Sequence, residues 1–514
     1  MIVRALILLV FGGGVLLGLR RESKLPGIFL NLVAVYAGAW ILFMAYLWVN
    51  HVNFPLNLEA MELTVVQHFQ RAVAGQPIYV EPSPAFVPLA YAPLYYYFSI
   101  PFAWLFGANL FTLRLVAILG MLGAEIVIFL AVKKETQSAW WGIVAVGLFA
   151  AAYRVMDTYL DNAHSDSWLL FCAFLGCYLI SLNKSRSVNA LGVLVLIASF
   201  WFKQHGALFA IGGVLYLTWR DGLKNSLPYW VVAGALGPVL YLLAPTLFFG
   251  SLFHYYTLTV PSGWSHLNVD AVVRYVVFIV TNYPALAGVG VVASLIYVFK
   301  QKSKASIWYF TLPFALLSGF MGALDPGSNN NVFIPMGAWF ILTGALGMAA
   351  FLGEYQVVRK WSLHLAALGL SFALFFYNPA SVIVSSQADE AYQDLIGYLN
   401  SFDGPVYAPW VGQLQNGYAF APAVHWVPME DLVRGPGAED EDVRIVQELL
   451  DPVIRPEGTA YILTNYPLEN DPLLFFLLDD YQLVTDLGGR FAALSTLPKR
   501  YNLEYPRYLY QYAP

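Results

Sequence analysis

Three groups of ionisable residues stand where an apolar chain gives them little reason to be. Glu59 and Glu62 lie three apart in NLEAMELTVVQHFQRAV, where Met61, Val65, Phe69 and Ala72 recur at helical spacing. The pattern predicts a helix over 59–73 with both carboxylates on one side, ended by Gly75 and Pro77. One such carboxylate beside a hydroxyl can act as general base. The pair can equally be a solvated first turn favoured by the helix dipole. The second group is YRVMDTYLDNAHSDSW, which packs Asp157, Asp161, His164 and Asp166 between two hydrophobic stretches. Asp161-x-x-His164 could ligate a divalent cation, and the aspartates could position a base or hold hydroxyls. Capping of the next helix by Asp161 or Ser165 is the plainer role, but it needs one residue and four are present. The third group is Phe202-Lys203-Gln204-His205, between two short apolar segments. Lys203 there suits an anionic ligand such as a phosphate, or else a salt bridge to a loop aspartate.

Weaker signals accompany these. Arg71 and Arg154 are further cations able to meet a phosphate. His254 and Tyr256 occupy a stretch where aromatic residues often act only as interfacial anchors. Asn330 and Asn331 sit in GSNNN, a turn by composition whose amides could also bind a sugar. Glu125 falls inside an apolar segment. No Walker A or Rossmann glycine pattern occurs, so no nucleotide pocket is expected.

The elements that position these groups belong to a membrane protein. Of 514 residues, 59% are hydrophobic and only 11% charged, with mean hydropathy +0.61; soluble domains carry about 25% charged residues. The two cysteines, Cys172 and Cys177, lie in an apolar stretch and form no disulfide framework. Twelve apolar segments are expected to span, near 2–19, 28–49, 110–132, 139–156, 167–182, 188–202, 206–219, 228–249, 271–299, 306–322, 332–352 and 361–384. The first lacks a small-residue cleavage site and is kept as a helix. With the N-terminus outside, the basic clusters 20/21/24, 133/134, 184/186, 220/224, 300/302/304 and 359/360 all fall on the cytoplasmic side. The three groups above then share the outer side. Tyr91–Gly107, rich in aromatics and holding two prolines, is expected to lie along the outer interface.

The charge balance divides the chain. Residues 1–384 carry a net +7 and residues 385–514 a net −12. We expect a transmembrane domain over 1–384, with a functional first outer loop at 50–109, and a small extracytoplasmic α/β domain over 385–514. In the latter, helices are predicted at 389–401, 443–450 and 472–478, and strands at 404–408, 459–463 and 491–494. The acidic tail argues against nucleic acid as a partner.

The order of elements resembles the GT-C membrane glycosyltransferases, in particular the aminoarabinose-transferase and protein O-mannosyltransferase branch. The resemblance rests on the early carboxylate, Gly75-Gln76-Pro77-Ile78-Tyr79, the string Tyr91-Ala92-Pro93-Leu94-Tyr95-Tyr96-Tyr97, Leu105-Phe106-Gly107, Asp161 to Ser167, Phe202-Lys203-Gln204 and Asn330/Asn331. It covers roughly residues 28–350. It implies inverting transfer of a sugar from a polyprenyl-phosphate carrier to an acceptor hydroxyl or phosphate on a glycolipid, glycan or protein, outside the cytoplasm, with a carboxylate of the first outer loop as base. Many members carry an Asp-Glu pair that falls on Met61-Glu62 here, so the Asp is missing. Glu62 then leads as base, with Glu59 as the alternative, while Asp161 and Asp166 assist. His164, Lys203, Gln204, Arg71, Tyr91, Tyr95, His254, Tyr256, Asn330 and Asn331 are the expected substrate contacts. No cofactor is firmly implied; a divalent cation is possible. The alternative reading is a lipid-linked-sugar flippase or secondary transporter, which would place its polar groups at the midplane.

Overall fold

The computed structural model describes residues 2–20, 25–302, 305–354, 360–414, 418–434, 440–471, 474–497 and 505–513. Arg21, Lys24, Lys304 and Arg359 of the basic clusters, and the start of the helix expected at 472–478, lie outside the described residues.

Each of the twelve apolar segments carries helix, but they are not twelve equal rods. Four helices are long and apolar enough to cross a bilayer: Ile28–His51, Leu110–Thr136, Leu223–Phe249 and Asn330–Phe351. The stretch expected as one span over 271–299 is two helices, Val269–Asn282 and Pro284–Lys300, bent by 100° at Tyr283. Pro284 opens the second helix, because it supplies no N–H to continue the first. The remaining apolar helices are shorter, among them Ala139–Arg154, Asp166–Leu182, Arg186–Phe202 and Ile307–Ala323. Tyr91–Gly107 contains a 13-residue helix, Leu94–Phe106. At about 1.5 Å per residue it covers about 20 Å, short of a bilayer core.

Asn330–Phe351 is the most deeply enclosed of the long helices, and Leu223–Phe249 is largely exposed on its outer face. The helical core centres on Trp339, which stacks on Phe174 at 4.4 Å and donates its indole N–H to Thr311 at 2.9 Å. Leu223–Phe249 contains two wide turns, Ala235–Val239 and Pro245–Phe249, each with a proline.

The C-terminal stretch forms a four-stranded sheet in the order β1-β2-β4-β3. Its strands are β1 (Val406–Tyr407), β2 (Tyr461–Thr464), β3 (Tyr481–Asp486) and β4 (Tyr508–Tyr512). β1 pairs parallel with β2, and β4 pairs antiparallel with both β2 and β3. Helices Ala388–Leu399 and Asp440–Leu449 fall close to expectation. The strand expected at 491–494 is instead a 3₁₀ turn, Ala492–Leu494, because Phe491 and Leu494 both point into the core rather than alternating. β3 and β4 were not expected.

One hydrophobic core runs without a break from the first loop (Phe54, Leu63, Phe69) through Tyr95 and Phe202 to the sheet (Trp410, Ile462, Leu509). Backbone bonds cross the same seam. Leu497 N donates to Leu58 O at 2.8 Å and Ala423 N to Pro84 O at 3.0 Å. The tail therefore packs directly on the loop that holds Glu59.

Candidate functional site

The helix predicted over 59–73 begins three residues later, at Glu62. Asn57 Oδ1 accepts from Leu63 N at 2.9 Å, and Glu62 Oε2 accepts from Leu58 N at 2.6 Å. These bonds close residues 57–61 into a turn and fix the helix start. The two glutamates consequently do not share a side. Glu62 turns inward to Arg114: Nε meets Oε1 at 2.9 Å and Nη2 meets Oε2 at 2.6 Å, both residues being fully buried. Ala163 N adds a bond to Oε1 at 2.7 Å. Four donors saturate this carboxylate, and it is absent from the wall of the cavity described below. Expected to lead as base, it instead bonds groups of the first loop, the helix Leu110–Thr136 and the loop 153–166, and so ties the three together.

Glu59 does face the cavity. Its Oε2 accepts from Met61 N and from the Tyr159 hydroxyl, both at 3.1 Å, while Oε1 has no hydrogen-bond partner. Asn329 Nδ2 donates to Tyr159 at 2.7 Å, so the tyrosine is held from behind. Burial, and then the nearby Glu62 carboxylate, push the Glu59 carboxyl up to about 8. A buried carboxyl of raised pKa with one free oxygen is what proton abstraction from an alcohol requires.

Lys203 stands at the end of the helix Arg186–Phe202. A tight turn holds it: Lys203 N donates to Ser199 O at 3.0 Å and Gly206 N to Lys203 O at 2.8 Å. Gly206 lies so close that a Cβ there would fall 2.2 Å from the Ser199 carbonyl carbon. Lys203 Nζ reaches Asp166 Oδ1 at 2.7 Å. Asn331 Nδ2 donates to Asp166 Oδ2 at 3.1 Å, and His164 Nδ1 approaches the same oxygen at 2.5 Å without hydrogen-bond alignment. The lysine ammonium has three donors and Asp166 takes one, leaving capacity for an anion in the cavity that Lys203 lines. Gln204 lines it too, fixed by bonds to Ala90 O and Thr257 O at 3.1 and 3.2 Å.

These residues surround one cavity of about 1400 Å³. Part of its wall is apolar, formed by Phe200, Ile211, Val214, Trp230, Pro238 and Leu258 from the helices over 186–264. Glu59, Tyr91, Tyr159, Lys203, Gln204, Asn329 and Asn331 line it as well. Its roof comes from the tail, through Trp410, Trp426, Tyr466, Asp431 and Arg434. Arg434 Nη2 reaches Asp325 and Asp431 at 3.1 Å each, and its guanidinium lies 4.0 Å over the Trp264 ring. Burial first, opposed by Arg434, raises the Asp431 carboxyl to about 6.

Several expected contacts lie elsewhere. Asp161 is buried with His51 Nδ1 at 2.7 Å and the Tyr153 hydroxyl at 2.7 Å, and His51 Nε2 in turn bonds Val382 O. It therefore splits from His164, and the Asp161/His164 ligand pair is not assembled. Among the described residues no group of three His, Cys, Asp or Glu side chains could hold a metal ion. Arg71 is half-buried, bonds Pro77 O at 2.8 Å and covers Phe86. Arg154 bonds Leu497 O in the tail. The Tyr95 hydroxyl donates to Leu113 O, His254 bonds Tyr241 O, and Tyr256 stacks on Tyr79. Asn330 points its backbone N–H at Asp157, while its neighbours Asn329 and Asn331 line the cavity. Arg114, Tyr159 and Arg434 escaped the reading of the sequence. A charge inside an apolar helix was the available signal for Arg114; nothing local marked the other two.

Comparison with known proteins agrees with the resemblance to GT-C membrane glycosyltransferases. A family profile described as dolichyl-phosphate-mannose-protein mannosyltransferase matches residues 90–248, under a third of the chain. The crystal structure of ArnT from Cupriavidus metallidurans in the apo state superposes with a TM-score of 0.50 at 13% identity, covering 92% of this chain and 98% of that one. ArnT from the same organism bound to undecaprenyl phosphate gives 0.48 at 10% identity, covering 94% and 98%. No curated protein matches the chain.

Proposed function

We propose that this GT-C-like chain is a membrane glycosyltransferase that moves a sugar from a polyprenyl-phosphate carrier to an acceptor hydroxyl, with inversion. The observation that carries the reading is the combination of chemistries in one cavity: apolar walls suited to an isoprenoid chain, Lys203 with ammonium donors to spare for a phosphate, and Glu59 with an unpaired oxygen. The matched family profile points the same way.

In the proposed reaction Glu59 Oε1 takes the proton of the acceptor hydroxyl as its oxygen attacks the anomeric carbon from the face opposite the phosphate. The C–O bond to phosphate breaks, and polyprenyl phosphate leaves with the electron pair. Lys203, with the second amide N–H of Asn331 at hand, stabilises the charge that develops there. Tyr159 and Asn329 hold Glu59 in place, and Asp166 and His164 hold Lys203. The outward-facing sidedness and the twelve crossings expected from the basic clusters belong to this proposal.

The test is mass spectrometry of lipids that copurify with the protein, together with release of polyprenyl phosphate from a labelled polyprenyl-phosphate sugar in liposomes. Retained polyprenyl phosphate, and release abolished in Glu59→Gln, are expected. Full release by that variant rejects the carboxylate mechanism.

A further inference from the structure

The roof of the cavity is aromatic, and it belongs to the tail. The indoles of Trp410 and Trp426 stack with centroids 4.3 Å apart at 23°, and the Tyr466 ring stands 5.2 Å from Trp410 at 55°. All three line the same cavity as Glu59, with Asn470 and Glu430 at their margin. Trp426 is tied down by its N–H on Asp471 Oδ1 at 3.2 Å. The indole N–H of Trp410 has no such bond: the side chain is 4% exposed and Nε1 lacks a hydrogen-bond partner. A buried donor left without an acceptor is costly, and this one belongs to a side chain that lines the cavity.

The roof is also joined to the base. Asn57, whose side-chain oxygen fixes the turn that carries Glu59, donates its amide to Trp410 O at 3.1 Å. A group resting on this wall is therefore beside the turn from which Glu59 reaches into the cavity. The charge on this side excludes one class of occupant. The tail has a net −12, and its cavity-lining cation, Arg434, is already shared by Asp325 and Asp431. An anionic group would meet carboxylates here and desolvate against indole rings.

We propose that Trp410, Trp426 and Tyr466 form a subsite for a neutral carbohydrate, the acceptor whose hydroxyl Glu59 deprotonates. The ring C–H edges of a pyranose suit the electron-rich aromatic faces. Its hydroxyls supply an acceptor for the Trp410 N–H and partners for Asn470 and Glu430. This rests on the glycosyltransferase reading and narrows its acceptor to a glycan or the glycan part of a glycolipid.

The experiment uses the full chain in a zwitterionic detergent without a sugar headgroup. Intrinsic tryptophan fluorescence and calorimetry follow titration with neutral hexasaccharides of glucose, mannose, galactose, rhamnose and N-acetylglucosamine, against a hexagalacturonate and a serine-rich peptide. At least one neutral hexasaccharide is expected to bind, and Tyr466→Ala and Asn470→Ala should each weaken it tenfold or more. Both variants should still bind polyprenyl phosphate as the parent does, which reports an intact fold. No neutral sugar bound, binding indifferent to both variants, or preference for the galacturonate or the peptide overturns the subsite. If the parent binds neutral sugar but not polyprenyl phosphate, the glycosyltransferase reading falls. If it binds polyprenyl phosphate but no neutral sugar, only the subsite does.

Discussion

Arg114 grips both oxygens of Glu62, and its remaining N–H groups bond the backbone oxygens of His51, Phe54 and Leu56. One guanidinium thus gathers the whole entrance of the first loop onto a single carboxylate. Because both partners are fully buried, neither can be removed alone without stranding a charge. Glu62→Gln and Arg114→Met are each expected to cost about 3–5 kcal/mol. Thermal unfolding in detergent should show both variants melting well below the parent. A Glu62→Gln protein of parental stability that lacks only turnover would mean that Glu62 acts in the chemistry after all.

Glu59 sets the pH response. With its carboxyl at about 8, the base form is the minor one at neutral pH. Transfer rate at saturating donor should therefore climb about tenfold per pH unit below 8 and level above it. Glu59→Gln should lower the rate by about 10²–10⁴-fold and abolish this limb. Tyr159→Phe removes a bond that favours the charged form, so the limb should move to higher pH. A flat profile for the parent would contradict the assignment.

Lys203→Gln keeps a polar side chain but removes the cation. A charged hydrogen bond of about 1.5–3 kcal/mol corresponds to roughly 10–100-fold weaker binding of polyprenyl phosphate. Equilibrium binding with a fluorescent polyprenyl phosphate reads this directly. Gly206→Ala should act at one remove, since the new methyl collides with the Ser199 carbonyl and displaces the turn that carries Lys203. It should weaken the same binding in a chain that still contains the lysine.

Arg434 holds the tail to the loop at Asp325. Arg434→Ala leaves Asp325 and Asp431 without their shared cation, so limited proteolysis should cut the tail faster and the melting midpoint should fall. Acidification through about pH 6 protonates Asp431 in the parent, whose ordinary value is 3.8. Because burial penalises the charged form, its ionisation destabilises the docked state above that pH, and acid relieves it. Arg434 holds this carboxyl down, so in the variant it takes up its proton at higher pH than in the parent, and the defect should shrink as pH falls toward 6. Equal protease sensitivity of variant and parent at pH 7.5 would show that the tail is held by its apolar seam alone.

Much of the site was legible because charge in an apolar chain is conspicuous. Glu59, Asp166 and Lys203 were named from the cost of placing charge there, and Gln204, Tyr91 and Asn331 through the resemblance to the GT-C enzymes; the structure gathers them around or beside one cavity. The choice between the two glutamates was not legible. It depends on Arg114, 52 positions downstream, and on a helix that starts at Glu62 because Asn57 and Glu62 cap its turn. Asp161 looked like part of the same cluster, yet its partners His51 and Tyr153 come from other helices. Nothing in the sequence singled out Trp410 and Trp426, since only the fold brings the two indoles together in the wall of the cavity. The 100° break at Tyr283 was hidden because both arms are apolar and together have the length of a span.

The cavity draws its apolar wall and its roof from stretches of chain more than a hundred residues apart. If the chain transfers sugar as proposed, substitutions after position 400 should change the acceptor and leave binding of the polyprenyl phosphate as it is. Hybrids that graft one protein's C-terminal portion onto another's helices should inherit their donor from the first part and their target from the second.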